Sequence, residues 1–111
     1  MPYRALPIHA AKAALFRTLG HPARVRILEL LRDGERSVSA LQAELGLDSG
    51  GTSQHLATLR RVELVTGRRE GTSVLYRVAD ESVYELLDAG RRVVAAANAR
   101  QQGRLQELAE G

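Results

Sequence analysis

Residues 37 to 62 read Ser37-Val38-Ser39-Ala40-Leu41-Gln42-Ala43-Glu44-Leu45-Gly46-Leu47-Asp48-Ser49-Gly50-Gly51-Thr52-Ser53-Gln54-His55-Leu56-Ala57-Thr58-Leu59-Arg60-Arg61-Val62. Ser37 is an N-cap type of residue, and the spacing predicts a short helix from Val38 to Leu45 that buries Leu41 and Leu45. Gly46 suits the helix C-cap, where a left-handed residue is favoured. The run 47–51 reads as a turn, followed by a second helix reaching about Val62. At about 100° per residue, Thr52, Leu56, Leu59 and Glu63 share one side of that helix, and Leu56 and Leu59 anchor it as the buried face. Gly50, Gly51, Gln54, Thr58 and Arg61 fall opposite, on a face without any large apolar group. Two helices joined by a short Gly-bearing turn form a helix-turn-helix, whose second helix enters a major groove when the partner is DNA. Gln and Arg can both make bidentate contacts with base edges. The glycine pair would let a phosphate approach free N–H groups at the helix N-terminus.

Upstream, Ile8, Ala11, Leu15 and Leu19 mark an amphipathic helix over 8–19. Gly20-His21-Pro22 ends it and begins the next, since Gly suits a C-cap and Pro the first helical turn. That helix runs to about Arg32 with Val25, Leu28 and Leu31 inward, and Asp33-Gly34 closes it. Downstream the period changes. Val65, Val74, Tyr76 and Val78 belong to two short strands turning around 69–73, with Gly at a turn position. Asp80 can cap a last helix whose broad apolar face carries Val83, Leu86, Leu87, Gly90, Val93, Val94 and Ala97. The polar tail from Asn98 is expected to fray. The reading is one domain over 1–111, mainly α with a small β-hairpin, ordered helix, helix, helix, helix, hairpin, helix. Its parts are a helix-turn-helix over 37–63, a wing over 65–78 and flanking helices over 8–19 and 80–98.

The chain has 111 residues, 44% hydrophobic and 26% charged, the balance of a globular protein. Only four residues are aromatic, so Leu, Val and Ala fill the core. No run approaches the roughly 20 apolar residues of a membrane span. The N-terminus lacks the pattern of a signal peptide, and a cytoplasmic location is expected. Without cysteine there is no disulfide, thiolate metal site or thiol switch. Net charge is +3, an excess many proteins without nucleic-acid partners share, but its distribution is informative. Between 48 and 78, Arg60, Arg61, Arg68, Arg69 and Arg77 face only Asp48, Glu63 and Glu70. Clustered arginine is the footprint of a phosphate-binding face. A basic hairpin directly after a candidate recognition helix is placed to touch DNA backbone or minor groove. Catalysis finds no support. Gly50-Gly51-Thr52-Ser53 lacks the Lys of a P-loop, and Ser53 and His55 point about 160° apart on a helix.

Three stretches together resemble the ArsR/SmtB-type winged helix-turn-helix regulators. Leu15-Phe16-Arg17-Thr18-Leu19-Gly20-His21-Pro22-Ala23-Arg24-Val25-Arg26-Ile27-Leu28-Glu29-Leu30-Leu31 is similar to the opening helices of that family. Ser53-Gln54-His55-Leu56-Ala57-Thr58-Leu59-Arg60-Arg61-Val62-Glu63-Leu64-Val65 resembles its recognition helix, and Arg68-Arg69-Glu70-Gly71-Thr72-Ser73-Val74-Leu75-Tyr76-Arg77-Val78 its wing. The likeness spans roughly residues 12 to 97. It implies a homodimer built on the first and last helices and bound to a palindromic double-stranded operator, usually repressing transcription until an effector releases it. Gln54, Thr58, Arg61 and the backbone near Gly51 are then expected to read base edges. Ser49, Thr52, Ser53 and His55, with Arg68, Arg69 and Thr72 of the wing, are expected to hold phosphates. Leu15, Leu86, Leu87, Gly90, Val93 and Val94 are the expected dimer contacts.

Many members of that family sense metals, and the resemblance directs attention to their ligand positions. Where some carry a Cys-x-Cys-like pair, this chain has Ser37-Val38-Ser39, and serine is a poor ligand for soft metals. Of the four ligands others place along the last helix, Asp80 matches one, while Ser82, Val93 and Ala96 stand at the rest. His21 suits packing or capping, and His55 suits contact with a phosphate or with the helix-turn-helix core. His9, with Asp80 and Glu81, is the remaining candidate for a non-standard nickel or zinc site across a dimer, set against a solvated surface His9. A winged-helix interaction module working with a protein co-regulator is the alternative outside direct operator binding.

Overall fold

In a computed structural model that describes residues 3–110, the chain divides into two units, 1–81 and 82–111. The first contains α1 (Ile8–Leu19), α2 (Pro22–Leu31), β1 (Arg36–Ser37), α3 (Val38–Leu45), α4 (Ser49–Arg61), β2 (Val65–Glu70) and β3 (Ser73–Val78). The second is one helix, α5 (Val83–Glu110).

Local chemistry sets most of these boundaries. The His21 Nδ1 accepts from the Ala23 N–H (3.2 Å), and Pro22 takes the first helical position of α2. The Ser37 hydroxyl accepts from the Ala40 N–H (3.1 Å) at the start of α3. Gly46 ends that helix at φ 67°, and its N–H donates to the Gln42 carbonyl (3.0 Å). Ile27, Leu28, Leu41, Leu56 and Leu59 are fully buried where α2, α3 and α4 meet. Each contributes about 1.5–3 kcal/mol on leaving water.

The sheet has the order β1-β3-β2, all antiparallel, so the hairpin gains a third strand. β1 is two residues long, with Arg36 opposite Tyr76 and Ser37 opposite Leu75, too short for a period-2 pattern to reveal. In the hairpin, Glu70 pairs with Ser73 across the two residues Gly71-Thr72. Gly71 has φ 62° and Thr72 does not share the positive φ, the pattern of a type II′ turn. Gly67 lies opposite Tyr76, and a Cβ there would sit 3.1 Å from the ring, so glycine admits the buried tyrosine against β2.

Four points differ from expectation. α4 begins at Ser49, because Asp48 caps it and draws both glycines into the first turn. It stops at Arg61, and Glu63 lies beyond it at φ 62°, exposed, instead of on the buried face. α5 starts at Val83, three residues past Asp80. The tail does not fray: α5 continues to Glu110, because Ala, Arg, Gln, Leu and Glu over 99–110 are good helix formers interrupted only by Gly103. No helix among the described residues is long and apolar enough to cross a membrane.

Candidate nucleic-acid interface

The buried side of α4 is Thr52, Leu56 and Leu59, all at 0% exposure. With that side locked into the core, Ser53, Gln54 and Arg61 stand exposed, beside a half-buried Thr58. The Thr58 hydroxyl donates to the Gln54 carbonyl (3.1 Å), and an Arg61 guanidinium N–H donates to the Thr58 oxygen (3.0 Å). This chain of bonds lays Arg61 back along the helix toward Gln54. The outward face therefore carries an amide and a guanidinium, the two side-chain types that pair bidentately with adenine and guanine.

The helix N-terminus is built differently from the expectation of an open anion site. The Gly51 N–H donates to the Asp48 carboxylate at 2.7 Å. A Cβ on Gly51 would lie 2.9 Å from that same oxygen, so glycine here admits the capping carboxylate. An acidic cap suits the positive end of the helix dipole, and the backbone contact expected near Gly51 would have to compete with it. Thr52 requires a plainer correction. It is fully buried and its hydroxyl donates to the Asp48 carbonyl (3.0 Å), so it has neither exposure nor a free proton for a phosphate. Ser49 and Ser53 are exposed on the first turns.

His55 takes the packed alternative and not the phosphate-facing one. It is half-buried, its ring centroid lies 4.3 Å from that of His21, and its Nδ1 accepts from the Arg24 Nε (3.2 Å). Arg24 donates as well to the Thr18 carbonyl (3.3 Å). Burial, then the neighbouring His21 and Arg24, hold the imidazole below its ordinary 6.5. A ring kept neutral, with one nitrogen engaged inside the protein, ties α4 to α2 and is poorly suited to grip a phosphate. Arg24 carries no sequence signal, because its partner stands 31 residues away.

In the wing, Arg68 and Arg69 have separate fates. Arg68 makes a two-pronged pair with Glu35, Nε to Oε2 and a terminal nitrogen to Oε1, both 2.9 Å, and reaches Glu70 at 3.1 Å. The Glu35 carboxyl is held below its ordinary 4.5 by this hydrogen-bonded partner. Arg68 thus links the wing to the segment before β1 while its side chain stays 52% exposed. Arg69 and Thr72, at and beside the turn, are exposed. Glu35 carried no sequence signal, being 33 residues from Arg68.

On α1, Leu15 is half-buried. On α5, Leu86 and Leu87 are half-buried and Gly90 exposed, while Val93 (67%) and Val94 (60%) are large apolar groups left open to water on a single chain. His9 is exposed, and neither it nor Asp80 and Glu81 enters a group of three or more potential ligands among the described residues.

This arrangement has close counterparts. Residues 21–66 match the model of the bacterial regulatory protein, arsR family. The HTH-type transcriptional regulator Rv0081 of Mycobacterium tuberculosis is 42% identical over 106 residues, covering 95% of this chain and 93% of the relative. Its crystal structure superposes with a TM-score of 0.79 over 87% of this chain and 98% of that one. The transcriptional activator HlyU of Vibrio cholerae is 36% identical over 81% of this chain and 84% of its own length. Its reduced form gives a TM-score of 0.68 over 77% of this chain and 90% of that one. The homodimeric winged helix-turn-helix DNA-binding domain of Mb0332 from Mycobacterium bovis, 34% identical, gives 0.70 over 79% of this chain and 82% of that one.

Proposed function

We propose that this chain, which belongs to the ArsR family of bacterial regulatory proteins, binds a palindromic operator as a homodimer and reads it with the outward face of α4. The family is one of HTH-type transcriptional regulators, not enzymes. The observation that carries the finer reading is the Gln54-Thr58-Arg61 ridge, set on a helix whose opposite side is fully buried. A rigidly seated helix with polar, base-pairing side chains outward is what major-groove readout requires. Gln54 and Arg61 contact base edges, with Thr58 holding Arg61 in place. Ser49, Ser53, Arg69 and Thr72 contact the phosphate backbone. Arg68 orients the wing through Glu35.

The homodimer is supported by the homodimeric Mb0332 domain and by the exposed Val93 and Val94, which a second copy would cover. Two copies related by a twofold axis would place their α4 helices in successive major grooves, about 34 Å apart. A transition metal such as nickel or zinc would act as effector through ligands assembled from both copies, since the described residues of one chain gather no group of three or more potential ligands. The test is fluorescence anisotropy of the full chain with its own upstream duplex across a salt series, with chelator and then with added nickel or zinc. Saturable binding that weakens steeply with salt supports the operator reading, because phosphate contacts release counterions. Absence of any salt-sensitive binding would reject it in favour of an interaction module.

A further inference from the structure

Two imidazoles and a guanidinium meet where the start of α2 faces α4. The rings of His21 and His55 have centroids 4.3 Å apart, and Arg24 joins them from α2. Its Nε–H donates to Nδ1 of His55 on α4 (3.2 Å), while a terminal nitrogen donates to the Thr18 carbonyl in the last turn of α1 (3.3 Å). One side chain of α2 thus holds both α1 and the candidate recognition helix. Gln54, the amide of the outward face, immediately precedes His55, and its carbonyl accepts from Thr58. A displacement of α4 at His55 is therefore passed to Gln54 and Thr58 together.

The donors of this cluster fix the protons on the rings. A guanidinium has no acceptor and keeps its charge, and a backbone N–H can only donate. The Arg24 Nε–H and the Ala23 N–H therefore require bare Nδ1 atoms on His55 and His21. Each neutral ring carries its proton on Nε2, so a second proton adds at Nδ1, the atom that accepts the bond. Protonating His55 turns its bond with Arg24 into two N–H groups facing each other, and sets a new cation beside Arg24. Burial lowers the proton affinity of His55 most, and His21 and Arg24 lower it further. The charged groups on the other elements packed against α4, Glu44 of α3 and Arg68, Arg69 and Glu70 of β2, are not among those that shift it. His55 is thus neutral at pH 7 and takes up its proton below 6.5.

We propose that Arg24 is a positioning residue for base readout, acting through His55 as a proton-sensitive latch on α4. With His55 neutral, the latch holds Gln54 and Thr58 in the pose that discriminates bases. Proton uptake at Nδ1 releases it, so preference for operator over random duplex falls in acid while binding to any duplex persists. An added charge near DNA favours every duplex alike, so the ratio of the two affinities reports the latch and cancels the charge. The effect on readout rests on the operator reading above; the latch itself does not.

The test begins without DNA, by nitrogen NMR of the full chain from pH 7.5 to 5.5. A bare Nδ1 on His55 at pH 7.5, with the Arg24 Nε signal moving in step as His55 titrates, is the expected result. A proton on that Nδ1 at pH 7.5, or an Arg24 signal blind to the titration, overturns the latch. Anisotropy with operator and random duplex then follows over the same range, on proteins verified as folded by circular dichroism. The operator-to-random ratio of the wild type should fall about fivefold below pH 6.5, the lower end of coupling between two sites. His55→Gln, whose side-chain oxygen can still accept from Arg24 but does not titrate, should keep the high ratio throughout. Arg24→Ala should show the low ratio at every pH. His21→Asn, which preserves a capping side chain, should keep the wild-type profile. A wild-type ratio that does not change with pH, or one that falls equally in His55→Gln, overturns the role in readout. A latch that titrates in a chain binding both duplexes equally at every pH overturns that role and the operator reading together.

Discussion

The amide of Leu64 reaches back five residues to the carbonyl of Leu59 at 3.0 Å, closing α4 with Glu63 held at φ 62° between them. The Glu63 N–H donates to the Arg60 carbonyl (3.0 Å), so the two bonds together form a Schellman motif. Most such motifs place glycine where Glu63 stands, because a Cβ is strained in the left-handed region. Buried Leu64 and Val65 follow at once, and their burial enforces the turn despite the strain.

Relief of that strain is measurable. Glu63→Gly should stabilise the fold by about 0.5–1 kcal/mol, while Glu63→Ala, which keeps the Cβ, should not. Thermal or urea unfolding of the three proteins decides it. Equal stability of the Gly and Ala variants would mean that the turn stores no strain.

The two glycines at the start of α4 should behave differently. A Cβ on Gly50 meets nothing closer than 3.9 Å, whereas on Gly51 it lies 2.9 Å from the capping Asp48 oxygen. Gly50→Ala is expected to stabilise by about 0.5–1 kcal/mol through helix propensity. Gly51→Ala should lose most of that gain by displacing a cap worth about 1 kcal/mol. Denaturant midpoints that rise equally in both variants would count against the cap.

His55 gives the fold a pH dependence with a defined sign. Its affinity for a proton is lower in the folded chain than in the unfolded chain, whose value is near 6.5. The unfolded state therefore takes up more protons as pH falls below 6.5, and folding stability declines from there toward the lowered folded value. Above 6.5 its contribution is complete. His55→Gln should flatten the stability profile between pH 7.5 and 5.5; a wild-type profile already flat over that interval would contradict the assignment.

Much of this architecture is legible in the residues. Leu28, Leu41, Leu56 and Leu59 sit at helical spacing and are all at 0% exposure, because a 3.6-residue period follows directly from burying one face. Ser37 and Gly46 act through their own side chain or backbone freedom, so their roles are also readable. The start of α4 is not legible in the sequence because glycine disfavours helices, whereas the Asp48 cap and the burial of Thr52 outweigh that preference. Arg24–His55 and Glu35–Arg68 join residues more than thirty positions apart, which no local pattern encodes. Those same pairs engage His55 and Arg68 within the chain, while Arg69 stands exposed beside the turn of the wing.

The dimer reading makes its own demand. Val93→Asp should lower both dimer stability and operator affinity, because a charge would be buried where an apolar contact is proposed. Sedimentation and anisotropy on the same samples check it. A variant that keeps both properties would place the interface elsewhere.

The most direct test of the central claim compares Gln54→Ala with Arg69→Ala on operator and random duplex, at several salt concentrations. The account predicts that Gln54→Ala costs the operator about 1–3 kcal/mol and leaves random DNA nearly unchanged, whereas Arg69→Ala weakens both alike and shallows the salt dependence. If both substitutions weaken operator and random DNA equally, α4 does not read the bases.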